Sequence, residues 1–151
     1  MSSCCSSKSK SEVAKKANCP QCGKSQRLVS YQTVLHHVVH PDNQNLKDQA
    51  FYFCESSECP VIYFSSNDLV FTQKQVRESV GQKTTNSMRT ICYCFDVTAK
   101  QVIDELTTTG SSASKEFVSA QTKAKNCACD IRNPSGRCCL VNFPKTVEVC
   151  E

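Results

Sequence analysis

Apolar residues fall into two stretches with different periods, separated by a polar segment. In the first, Phe51-Tyr52-Phe53 runs straight into Cys54, and Val61-Ile62-Tyr63-Phe64 is followed by the turn Ser65-Ser66-Asn67-Asp68 and by Leu69-Val70-Phe71. Short β-branched and aromatic runs around a polar turn predict a β-hairpin. Arg27 to Gln32 reads as a short strand. Thr33 to Val39 places Val34, Leu35, Val38 and Val39 at helical spacing, with Thr33 as its cap and Pro41-Asp42-Asn43 ending it. Thr72 is expected to cap a helix through Val80, stopped by Gly81. Residues 82–90 are polar and read as a linker.

The second stretch is helical. Val102, Ile103 and Leu106 share one face of a helix capped by Thr98 and ended by Gly110. Ser112 or Ser114 starts another, carrying Phe117, Val118 and Ala124 and ending at Asn126. Asn133-Pro134-Ser135-Gly136 reads as a turn that brings Cys138 and Cys139 back. The expected fold is therefore α+β. Its expected parts are a disordered tail (1–17), a small β-rich unit (18–81) and a helical-hairpin unit (91–151). With no tryptophan among 151 residues and few aromatics, each unit has little core, and small domains of this kind usually need a metal to fold.

Thirteen cysteines change that picture into a chemical one. Most come in tight pairs: Cys4/Cys5, Cys19/Cys22, Cys54/Cys59, Cys92/Cys94, Cys127/Cys129 and Cys138/Cys139, with Cys150 alone. Cysteines one or two residues apart bridge each other poorly but can grip one metal ion. The N-terminus shows no apolar leader and no run approaches a membrane span, so a cytoplasmic chain with reduced thiols is expected. The net charge of +4 is diffuse, which argues against nucleic acid as a partner. No phosphate loop, nucleophile elbow or paired carboxylates appear, so no catalytic residues are expected.

Cys19-Pro-Gln-Cys22-Gly opens like a zinc knuckle, and Cys54 and Cys59 supply a second arm. Four thiolates at these positions predict a structural zinc site, with His36, His37 and His40 as substitute ligands. Cys92-Tyr-Cys94 has a different logic. Both sulfurs of a CxC loop can reach one iron, and a distant second pair from Cys127, Cys129, Cys138 and Cys139 completes the ligation of a [2Fe–2S] cluster.

Ile91-Cys-Tyr-Cys-Phe-Asp-Val-Thr98, the Cys127 to Leu140 segment, the Cys-Pro-x-Cys opening and the Tyr52-Phe53-Cys54 arm resemble the N-terminal domain of CopZ-type copper chaperones. The second unit alone is similar to the [2Fe–2S] domain of bacterioferritin-associated ferredoxin. The resemblance implies one zinc and one [2Fe–2S] cluster, the latter on Cys92, Cys94, Cys129 and Cys139, with Cys127 and Cys138 as alternates. It also implies a one-electron role that reduces Cu(II) to Cu(I) for a chaperone domain or a P-type metal ATPase. The heavy-metal-associated domain of those chaperones has no counterpart before Glu151, so delivery itself is not implied. Two other functions fit the same cysteines. One is a non-redox Cu(I) or Hg(II) binding protein using the spare thiols, among them Cys4, Cys5 and Cys150. The other is an all-zinc adaptor. Arg132 and Arg137 flank the second set and read as surface charge.

Overall fold

A computed structural model describes residues 13–47 and 49–144. Five antiparallel strands form one sheet in sequence order: β1 (Lys16–Asn18), β2 (Ser25–Val29), β3 (Phe51–Phe53), β4 (Val61–Ser65) and β5 (Val70–Thr72). The predicted hairpin is β4 and β5, and Phe64 pairs with Val70 across it. β1 was not expected: Lys16 and Ala17 lie in the stretch read as a tail, yet they pair with Arg27 and Gln26.

Period two along β3 divides its aromatic residues between the two faces of the sheet. Phe51 and Phe53 enter a core with Val34, Val38, Tyr63 and Phe71. Tyr52 turns the other way, stacks on Phe64 with ring centroids 5.3 Å apart, and packs with Cys19, Cys54, Cys59 and Val61. Both faces are thus covered, which is why β4 is buried along its whole length.

The helix predicted from Thr33 begins earlier. α1 spans Tyr31–His37, because the Ser30 hydroxyl accepts the Gln32 N–H at 3.2 Å and caps it. The helix predicted over 72–80 is only the one-turn segment Gln73–Gln75. Thr72 and Gln75 form a capping box there, but Val76 leaves the helical path to bridge Val38.

In the second half, β6 (Thr90–Cys92) and β7 (Val97–Thr98) form a two-stranded sheet that feeds α2 (Ala99–Thr109). Thr98 caps α2 through the Gln101 N–H, and Gly110 ends it at φ 76°, a left-handed conformation that glycine adopts without strain. α3 (Ala113–Lys123) starts at Ser112 as expected and ends before Asn126, at Ala124. The Glu105 carboxylate ties the hairpin by accepting from the Ser112 hydroxyl at 2.5 Å and the Ser114 hydroxyl at 2.6 Å. α4 (Cys129–Arg132) is a single turn. Ile91, Val97, Val102, Val118 and Phe143 fill the core between them, together with Cys92, Cys129 and Cys139.

Candidate metal centres

The knuckle at Cys19 is built by its own backbone. The Cys19 N–H reaches the Lys24 carbonyl at 2.9 Å, and the Gly23 N–H returns to the Cys19 carbonyl at 2.8 Å. Gly23, at φ 73°, takes the reversal that a side chain would resist. Cys54 continues β3, with its N–H on the Ile62 carbonyl at 2.9 Å. The Cys59 N–H closes on the Ser56 carbonyl at 3.2 Å. These two loops bring the sulfurs of Cys19, Cys22, Cys54 and Cys59 within 4.8 Å of one another.

The spacing fits one ion. A tetrahedral zinc with bonds of about 2.3 Å needs sulfurs about 3.8 Å apart. Cys19 to Cys59 and Cys22 to Cys54 are each 3.8 Å. Burial pushes the Cys59 thiol up to about 12 and raises Cys19 as well. Cys22 is lowered to about 6, first by the Lys24 N–H and then by the Ser56 hydroxyl. Four thiolates so close together repel, and a divalent cation removes that repulsion. The Gln26 side-chain amide donates to the Cys54 sulfur at 3.5 Å, and the Lys83 ammonium grips the Ser56 and Cys59 carbonyls at 2.6 and 3.0 Å. None of these supports has a sequence signature, because each acts across the fold.

The histidines stand elsewhere. His37 is buried, with Nε2 donating to the Ile131 carbonyl at 2.8 Å. Exposed His40 meets the Gln44 amide, and neither it nor His36 joins the cluster of sulfurs.

The second set is looser: Cys92, Cys129 and Cys139 share one buried cluster with Cys94 packed against it, but among the described residues only the first set brings its sulfurs all within 4.8 Å. Cys94 Sγ lies 3.6 Å from Cys129 Sγ, and the Ala128 N–H donates to Cys94 Sγ at 3.3 Å. Cys92 and Cys139 are buried in the same cluster. The near sulfur pair, Cys94 with Cys129, thus joins two separate loops. This happens because the backbone turns over residues 93–96, where Asp96 takes φ 57°. The Cys139 side chain lowers Cys92 to about 6. That same contact, with burial, raises Cys139, and burial pushes Cys129 up to about 12. Cys127 and Cys138 are half-buried, and Cys127 packs against the same cluster. Cys4, Cys5 and Cys150 lie outside the described residues. Among the described residues no helix is long and apolar enough to cross a membrane.

A four-cysteine centre shaped for a tetrahedral ion defines a metal-binding protein of mixed α and β structure. Residues 16–77 match the zinc-binding domain of CopZ. Over 121 residues the chain is 33% identical to the copper chaperone CopZ of Archaeoglobus fulgidus, covering 80% of this chain and 57% of that protein. The crystal structure of the N-terminal domain of the same CopZ superposes with a TM-score of 0.70 at 31% identity, over 85% of this chain and 99% of that domain. The chain belongs to the family of CopZ N-terminal domains, and it spans 57% of the length of the full-length relative.

Proposed function

We propose that this chain is a soft-metal-binding protein of copper homeostasis, in which zinc holds the first centre and the second carries the metal chemistry. The burial of Cys92, Cys129 and Cys139 in one cluster, with Cys94 packed against it and 3.6 Å from Cys129, supports that reading most. Buried thiols gathered in this way bind soft metals in preference to hard ones. Copper comes from the relative's name alone.

Within that reading, the second centre is a [2Fe–2S] site. The donor set fits: Cys92, Cys94, Cys129 and Cys139 would supply the four thiolates that such a cluster takes. When bound, the cluster supplies one-electron exchange, which suits reduction of Cu(II) to Cu(I). The protein's own part is to hold the sulfurs and to shield Cys92, Cys129 and Cys139 from water. It also aims the Ala128 N–H at Cys94. Hydrogen bonds to cluster sulfurs and solvent exclusion are the levers that set such a potential. Candidate recipients of the metal are a heavy-metal-associated domain or a P-type metal ATPase, in a reducing cytoplasm.

Half-buried Cys127 and Cys138 favour a second reading, non-redox binding of Cu(I) or Hg(II). Anaerobic purification with counts of zinc, iron, sulfide and copper separates the two. Two irons and two sulfides per chain, with a reduced-state EPR signal, support the cluster. Zinc without iron or sulfide, together with Cu(I) binding lost on replacing Cys127 and Cys138 by serine, establishes the other.

A further inference from the structure

We infer that Thr33, His37 and Tyr63, all on the zinc-bearing half, are positioning residues for the second cysteine centre. This rests on reading Cys92, Cys94, Cys129 and Cys139 as a metal centre. Each of the three is 0% exposed, and each carries a polar group that no zinc ligand uses. All three donate into one short stretch of main chain. The Thr33 hydroxyl bonds the Asp130 carbonyl, His37 Nε2 bonds Ile131, and the Tyr63 hydroxyl bonds Pro134. That stretch joins Cys129 to Cys139.

The stretch has little to hold it otherwise. α4 is four residues long, far below the length at which a helix sustains itself. Beyond it, the Asn133 side chain organises the turn by donating to the Arg137 carbonyl at 2.9 Å and accepting from the Ser135 hydroxyl at 3.0 Å. The turn also lies tight against the first half: a Cβ on Gly136 would come within 3.0 Å of Val29. A buried donor keeps its acceptor because separating them strands both groups away from water. The three donors therefore fix where the backbone carries the Cys129 and Cys139 sulfurs, and the first half acts as a template for the second centre.

The test uses the full chain, zinc-loaded and anaerobic, with cobalt(II) as the probe of the second centre. Thr33→Val and Tyr63→Phe each delete one hydroxyl and keep the side-chain shape. Each is expected to weaken cobalt binding at the second centre about tenfold and to shift its thiolate-to-cobalt absorption, as loss of a ligand's supporting bond does. Zinc content stays at one per chain, and Thr33→Ser keeps wild-type cobalt affinity. Tyr52→Phe is the control, since its hydroxyl bonds the Ala14 carbonyl at 2.8 Å, outside the Cys129–Cys139 stretch. Should Tyr63→Phe fail to retain zinc, Thr33→Val alone decides. Unchanged cobalt affinity and absorption in the variants, or an equal loss in Tyr52→Phe, overturns the positioning role. A wild-type chain that takes up no thiolate-bound cobalt beyond its zinc overturns the second centre itself.

Discussion

The guanidinium of Arg137 meets the carboxylate of Glu55 at 3.1 Å. Glu55 follows Cys54 directly, and Arg137 lies two residues before Cys139, so the loops that carry the two cysteine sets touch through this ion pair. Both side chains remain substantially exposed, at 40% and 44%. Water and salt screen such a pair. A double-mutant cycle with Glu55→Gln and Arg137→Gln is expected to give a coupling of about 0.5 kcal/mol at low salt. In molar salt the urea midpoints should become additive. A coupling that survives high salt would mean that the pair is desolvated in solution.

Cys54 is fully buried and belongs to the four-sulfur set of the first centre. Its replacement by serine is expected to remove zinc and abolish the cooperative unfolding of residues 16–77. Metal free energy in such small domains is folding free energy, on the order of 10 kcal/mol. Metal analysis and far-ultraviolet circular dichroism check this together. A strong chelator should reproduce the effect in the wild-type chain.

Cys129 and Cys127 are two residues apart but sit differently. The Cys129 sulfur is 3.6 Å from that of Cys94, whereas Cys127 lies beside the pair. Cys129→Ser is expected to lose the second centre's metal, while Cys127→Ser keeps it. Visible absorption of anaerobically reconstituted protein distinguishes the two. Equal loss in both variants would reassign the ligands.

His37 gives the stability a pH dependence. Burial lowers it from 6.5 to about 4. Its Nδ1 has no hydrogen-bond partner, and its Nε2 donates to Ile131. The folded pKa lies below the unfolded one, so the unfolded chain takes up the proton first. The stability is present above about pH 6.5 and is lost as pH falls toward 4. Between pH 7 and 5 the loss is about 2 kcal/mol. His37→Gln retains a donor for the Ile131 carbonyl and removes the titration. The wild type should therefore lose about 2 kcal/mol more than this variant over that interval, measured by urea unfolding.

The local elements were legible wherever short-range chemistry decides them. Thr98, Gly110 and Ser112 mark the ends of α2 and α3 because capping depends on neighbours three or four residues away. The β4–β5 hairpin was legible from its polar turn for the same reason. Cys19, Cys22, Cys54 and Cys59 were legible as a set because tetrahedral coordination constrains spacing. The partners that cross the fold left no such trace. Thr33 reads as a helix cap, yet its hydroxyl serves Asp130, 97 residues away. His37 reads as a spare ligand, yet it bonds a carbonyl. Arg137 reads as surface charge, yet it reaches the zinc loop. Val76 was misread because its pairing with Val38 outweighs a helical continuation from Thr72. The approach of Cys94 to Cys129 follows a backbone turn at Tyr93 to Asp96 that spacing alone does not reveal.

Gly81 lies where the two halves meet. Its N–H donates to the Tyr93 hydroxyl at 2.9 Å, and that hydroxyl donates to the Ser79 carbonyl at 2.7 Å. A Cβ built on Gly81 would stand 2.3 Å from the Thr90 carbonyl oxygen, without room even for a methyl group. The join at Gly81 is therefore a seam of backbone against backbone. The exposed loop Thr85–Met88 is where an added residue at this joint would bulge into water. Upstream, at Gly81, the Thr90 carbonyl leaves no space for a side chain.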